Sequence, residues 1–217
     1  MTHSVDLYWS FRSPYSYIAV PKLLELERNF DAKVNVRPVL PIAVRQPDFF
    51  ANSDPLWFSY LMRDCARSAE FAGMPLRWPR PDPVLMDFAT RTYPKDQPHI
   101  HRLTRLGQLA AERGAGLGVL RAVSHLIWSG EVDGWHEGVH LAEAFAKAGC
   151  DLAELDAVQA AEAERLGAAI KQNEADQRAD GHYGVPLMVY EGEPFFGQDR
   201  YDQLVWRMQQ KGMAGQV

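Results

Sequence analysis

The chain has 217 residues, 47% of them hydrophobic and 24% charged, enough apolar material for one large domain or one domain carrying a big insertion. Its net charge of −5, from 23 basic and 28 acidic side chains, argues against nucleic acid as the main partner. No apolar run reaches the roughly 18 residues of a membrane-spanning helix, so no membrane segment is expected.

The first element is "VDLYWS", where Val5, Leu7 and Trp9 alternate with Asp6, Tyr8 and Ser10, the period of a strand. "SPYSYIAVPKLLELERNF" follows as a helix, with Ser13 as N-cap and Pro14 at the first helical position. Pro21 lies inside it and removes the bond to the Tyr17 carbonyl, which predicts a kink. "KVNVRPVL" alternates again and reads as a second strand. Strand, helix and strand at this spacing make a parallel, right-handed βαβ unit.

Strand signals then stop for most of the chain. A helix is expected between Pro55 and Gly73, with Trp57, Tyr60, Leu61, Cys65, Ala69 and Ala72 at helical spacing. "RPDPVLMDFATRTYPKDQP" reads as an irregular loop. Helical patterns cover 99–113, 117–129, 135–148 and 151–176, with Gly114, Gly130 and Gly149 as stops and Gly167 as an interruption of the last. Strands return at Pro186–Tyr190 and Pro194–Phe196, joined by a tight turn at Glu191-Gly192. "QDRYDQLVWRMQQ" closes the chain as a helix, with Asp199 at its start as an N-cap and Asp202 completing a partial capping box.

Within this order, "SFRSPYSYIAV" stands out. Ser13-Pro14-Tyr15-Ser16 has the shape of a Cys-x-x-Cys redox motif with both sulfurs replaced by oxygen. The two cysteines, Cys65 and Cys150, lie elsewhere with no partner pattern, which suits a reducing cytoplasm and excludes disulfide exchange at the motif. A helix start with free N–H groups and partial positive charge stabilises an anion and lowers a thiol's pKa. Ser13 therefore suits a thiolate supplied by another molecule, although a plain N-cap satisfies the same pattern.

"FRSPYSY" and "GVPLMVYEGEPFFGQDR" together resemble the 2-hydroxychromene-2-carboxylate isomerases and the related kappa-class glutathione transferases. The resemblance implies a DsbA-like thioredoxin fold of the α/β class, βαβ…ββα. Residues 1–42 and 181–217 would form the thioredoxin-fold domain and 43–180 a large helical insertion. It implies glutathione as cofactor, with its sulfur on Ser13, its cysteinyl backbone on Val185 beside a cis Pro186, and its γ-glutamyl end at Gln198 and Asp199. Asn52 is the family's glutathione-contacting asparagine or an ordinary turn residue.

The resemblance also implies a small aromatic carboxylate as substrate and a homodimer, and the cysteine usage makes the cytoplasm the expected location. The implied reaction is glutathione-dependent cis-trans isomerisation by reversible thiolate addition. A kappa-like glutathione transferase or peroxidase, and a non-catalytic binding protein, are the alternatives. Several other features read as structural. Arg12 reads as a solvated side chain, with a substrate carboxylate as its other use. The arginines from Arg77 to Arg105 read as a solvated face, Trp57, Tyr60, Phe71 and Trp78 mostly as core, and His99-x-His101 lacks a third ligand at fitting spacing for a metal.

Overall fold

The structure, a computed structural model, describes residues 3–87 and 92–215. Strand β1 (His3–Trp9) runs parallel to β2 (Ala32–Pro38), with Val5 opposite Val34 and Leu7 opposite Val36. Helix α1 (Pro14–Asn29) makes the crossover and continues through Pro21. The alternation in β1 sorts its side chains: Val5, Leu7 and Trp9 enter the main core, whereas Tyr8 joins a small cluster with Val39, Leu187 and Val189 on the other face.

Strands β3 (Leu187–Tyr190) and β4 (Glu193–Phe196) complete a four-stranded sheet in the order β2-β1-β3-β4. β3 is antiparallel to both β1 and β4. Glu191 and Gly192 both have positive φ, 50° and 79°, as the two central residues of a tight hairpin turn of the primed type require. This is the α/β thioredoxin architecture expected from the chain's two ends.

The segment between β2 and β3 is helical: α2 (Ile42–Arg45), α3 (Pro55–Phe71), α4 (Ile100–Glu112), α5 (Gly116–Trp128), α6 (His140–Lys147), α7 (Leu152–Ala161) and α8 (Ala163–Ala179). α4, α5 and α8 pack against β2, and α1 packs against α5. One apolar core therefore runs from Val5, Leu7 and Leu23 into Leu103, Leu106, Leu120 and Phe145. Gly114, Gly130 and Gly149 end their helices with positive φ, as expected. No helix among the described residues is long and apolar enough to cross a membrane.

Four local expectations are corrected. The helix expected from 135 starts only at His140, because Gly134 and Gly138 adopt left-handed φ of 66° and 56° and hold 131–139 in turns. The break in the 151–176 pattern falls at Glu162, and Gly167 stays within α8, with open space where its side chain would be. Tyr60 and Phe71 are surface residues; Phe71 is 95% exposed, on the outer face of α3. The last helix, α9 (Tyr201–Gln210), is preceded by a 3₁₀ turn at Gln198–Arg200, and Asp199 pairs with Arg200 at 3.1 Å rather than capping it.

Candidate active site

Ser13 sits where β1 hands over to α1. Its N–H donates to the Ser10 carbonyl at 3.1 Å, and its Oγ accepts from the Ser16 N–H at 3.1 Å as a helix cap. The same hydroxyl donates to the Val185 carbonyl at 3.4 Å. Val185–Pro186 is a cis peptide, and the Pro186 carbonyl accepts from the Gly197 N–H at 2.9 Å, which holds the end of β4 beside it. Residues far apart in sequence thus meet at one helix end. Val185 precedes the β3 ladder, and among the described residues its N–H has no hydrogen-bond partner.

This corner opens on a cavity of about 260 Å³. Ser13 and Val185 form one wall, and Phe49, Phe50, Trp57, Trp78 and Phe196 supply aromatic surface. Trp57 and Trp78, expected as core, line the cavity instead, unlike Tyr60 and Phe71. No Asp or Glu is among the described lining residues, whereas Arg12, Arg45 and His182 are. Such a site suits a flat, anionic ligand.

Arg12 is not solvated. It is only 8% exposed, with Nε and Nη2 on the two Asp82 oxygens at 3.1 and 2.9 Å, and its guanidinium lies 5.0 Å from the Trp78 ring centroid. Asp82 also accepts from Trp78 Nε1 at 3.0 Å and from the Val84 N–H at 2.9 Å. The loop expected to be irregular is thereby fastened beside Ser13. Trp128 Nε1 fixes the same turn from α5 through the Phe11 carbonyl at 2.8 Å.

Arg45 differs. Its Nη1 donates to Gln177 Oε1 at 3.1 Å and its Nη2 to the Tyr183 carbonyl at 2.9 Å, but no carboxylate forms an ion pair with it among the described residues. Burial lowers its pKa, yet a guanidinium stays charged from so high a starting point. Its hydrogen-bond partners at the cavity wall are neutral, and Glu174 acts on its charge without forming an ion pair with it among the described residues.

Tyr15, also at the wall, donates its hydroxyl to Asp64 at 2.7 Å. Burial, then this bond, pushes the phenol's pKa up, and the bond is the main reason the Asp64 carboxyl is held below its ordinary range. A depressed carboxylate stabilises the fold above its unfolded pKa and loses that contribution as pH falls through the folded one. Tyr15→Phe is therefore expected to remove about 1–2 kcal/mol near neutral pH. Urea unfolding across pH checks this: the gap between wild type and variant closes as Asp64 protonates.

The remaining expected site residues lie at the margins. Asn52 lines a separate groove with Gln46, Asp48 and Phe49, and Phe49 is shared with the cavity. Gln198 and Asp199 lie outside the cavity on the turn after β4; Asp199 is exposed. The basic stretch from Arg77 to Arg105 is largely neutralised: Arg77 pairs with Asp133, Arg102 with Asp156, and Arg105 donates to Gln159. Arg91 lies outside the described residues. His99 packs on Trp135 and His136, and no group of three metal-ligating side chains occurs among the described residues. Cys65 and Cys150 are both free thiols, and burial raises the pKa of each.

Sequence reasoning missed Arg45, Phe49, Phe50 and Tyr183. Nothing in the four-residue helix α2, the loop after it or the turn after α8 that bears Tyr183 carries a periodic signal that would mark them.

A family model described as a DSBA-like thioredoxin domain matches residues 4–209. No curated protein matches the chain. Among solved structures, 2-hydroxychromene-2-carboxylate isomerase is similar at TM-score 0.71 and 20% identity, over 95% of each chain. A probable DsbA oxidoreductase from Streptomyces coelicolor follows at TM-score 0.66 and 16% identity, over 99% of this chain and 93% of that one. The cytosolic disulfide reductase DsbM from Pseudomonas aeruginosa, solved with GSH, is similar at TM-score 0.61 and 17% identity, over 95% of this chain and 99% of that one.

Proposed function

The chain belongs to the DSBA-like thioredoxin domain family, and within it we propose a glutathione-dependent cis-trans isomerase acting on an aromatic carboxylate, like the 2-hydroxychromene-2-carboxylate isomerases. One observation carries this reading. The redox-shaped corner holds hydroxyls in place of sulfur and faces an aromatic cavity lined by arginines and, among the described residues, no carboxylate. Disulfide exchange has no protein thiol to use there, so the sulfur has to come with a ligand.

The residues present fit glutathione at its central part. Ser13 offers a hydroxyl at a helix start for the sulfur, and Val185 offers an unpaired N–H for the cysteinyl backbone, in the manner of an added strand. Gln198 and Asp199 would hold the γ-glutamyl end from the adjoining turn, with Asn52 as a further contact. When bound, glutathione supplies a thiolate that adds reversibly to a conjugated carbon and so frees the neighbouring bond to rotate. Ser13 and the α1 N–H groups keep the sulfur anionic. The aromatic wall holds the substrate ring flat and excludes water, and Arg45 takes its carboxylate.

The deciding experiment is turnover of 2-hydroxychromene-2-carboxylate with glutathione. Recovery of all the glutathione supports isomerisation, and its consumption points to a kappa-like transferase instead. Absence of calorimetric binding at millimolar glutathione would defeat both. Arg45→Gln is expected to raise KM for the carboxylate about ten- to a hundredfold, the worth of one charge-assisted hydrogen bond, with a smaller change in kcat. The reading includes a cytoplasmic homodimer, which sedimentation of the purified chain tests.

A further inference from the structure

His182 lies between α8 and the cis Val185–Pro186 step, on the cavity wall opposite no acidic side chain. Its ring is clamped. It stacks on Phe196 with centroids 3.8 Å apart and an interplanar angle of 24°, and on Tyr183 at 5.0 Å and 6°. The Gly184 N–H donates to His182 Nδ1 at 2.9 Å, so Nδ1 is an acceptor and the neutral ring carries its hydrogen on Nε2. Among the described residues Nε2 has no hydrogen-bond partner and is not sealed off from solvent.

The loop is shaped around this ring. A Cβ on Gly184 would meet Phe196 Cε2 at 2.4 Å and His182 Cε1 at 2.9 Å, so a side chain there would push the imidazole or its stacking partner aside. Gln177 Nε2 fixes the same peptide through the Gly184 carbonyl at 2.7 Å. A surface histidine needs no such seat. Other groups that meet this loop or line the same cavity are Arg45, whose Nη2 donates to the Tyr183 carbonyl, and Arg12; both are cations. Burial lowers the His182 pKa, against a smaller opposing effect of the Gly184 backbone.

We propose that His182 is a neutral hydrogen-bond donor of the cavity, presenting Nε2–H to a carbonyl oxygen of an aromatic ligand. The proposal rests on the isomerase reading for the identity of that ligand, and on the geometry above for the donor. In such a substrate, opening the conjugated double bond moves negative charge onto the conjugated oxygen. A fixed donor there stabilises the charge as it develops and needs no reorganisation. Nε2 keeps its hydrogen throughout, so no proton is gained or lost by the protein.

The test uses coumarin, a flat aromatic carbonyl compound, as probe with the full chain. In the wild type, ¹⁵N NMR is expected to show His182 protonated at Nε2 and unprotonated at Nδ1, with the Nε2 resonance moving as coumarin binds. The bound coumarin carbonyl stretch is expected to fall. His182→Ala should lose that fall and bind coumarin about tenfold more weakly, the worth of one hydrogen bond, and His182→Gln should restore part of both through its own N–H. An Nδ1-protonated ring, an Nε2 resonance indifferent to coumarin, or the same carbonyl shift in His182→Ala would overturn the proposal. Glutathione calorimetry on the same samples separates the two readings. Loss of glutathione binding with the coumarin shift intact removes the isomerase and leaves the donor; intact glutathione binding with no coumarin shift does the reverse.

Discussion

Ser13→Ala is expected to raise the pKa of a glutathione thiol bound at the start of α1 by about one to two units, each unit being about 1.4 kcal/mol. Isomerase turnover at neutral pH should fall by about ten- to a hundredfold, the loss of thiolate that such a shift implies. The hydroxyl stands between the Ser16 N–H and the Val185 carbonyl, so a bound thiolate would compete for its hydrogen with the carbonyl at 3.4 Å, a long bond that yields easily. Alanine removes the hydroxyl but leaves the α1 N–H groups and their partial charge, so part of the thiol activation survives.

The same substitution removes a helix cap and is expected to lower stability by about 1 kcal/mol, far too little to unfold a domain of this size. Ser13→Gly, which loses only a few tenths of a kcal/mol as a cap, separates the two effects: it should match alanine in thiol pKa and exceed it in stability. Thiolate ultraviolet absorbance, titrated with glutathione in slight excess over protein, reads the pKa directly. An unchanged titration in both variants would take Ser13 out of the mechanism while leaving glutathione binding untouched.

The parts of the site legible in the sequence are those whose cause is local. Ser13 followed by Pro14 is a helix start on any reading, and the alternation of Val5, Leu7 and Trp9 assigns the faces of β1 without knowledge of β3. Glu191-Gly192 fixes the β3–β4 hairpin for the same reason. The cis Pro186 is different. An X–Pro bond is trans in most contexts, and only the resemblance pointed to cis.

What escaped the sequence depends on long-range partners. Arg12 and Asp82 are joined across much of the chain, and an arginine before a helix reads as solvated until its carboxylate is found. Arg45 reaches the cavity from the start of the helical segment, which no periodicity records. α3 misled in the other direction. Its apolar residues recur at helical spacing, yet Cys65 and Ala69 are its buried positions, and Leu56, Tyr60 and Phe71 face outward. Spacing identifies a stripe but not what covers it.

Asp82→Ala should be the most destabilising single substitution near the site, by about 3–5 kcal/mol, because it strands the buried Arg12 guanidinium without its counter-charge. The Arg12 and Asp82 side chains are 9% and 14% exposed, so water is poorly placed to take over. Three donors lose their acceptor at once: Arg12, Trp78 Nε1 and the Val84 N–H. Trp78 meets Trp128 edge-on at 5.2 Å, so the disturbance reaches α5 and the Phe11 carbonyl that Trp128 holds. The turn bearing Ser13 is thus anchored on both sides by one cluster.

Urea unfolding at neutral pH distinguishes a stranded charge from simple loss of contacts. The double variant Arg12→Met with Asp82→Ala removes both charges while keeping apolar volume, and it should be markedly more stable than Asp82→Ala alone, as replacement of a buried ion pair often is. If the double variant is instead the less stable, by the sum of the single effects, the pair is not electrostatically coupled. The cavity-lining Trp78 is then held by its packing on Trp128. In either case loss of stability should be accompanied by loss of the cavity before loss of the sheet. Two lining residues of the cavity, Arg12 and Trp78, are held by Asp82, whereas β1 to β4 are bound by their own ladders and by α4, α5 and α8.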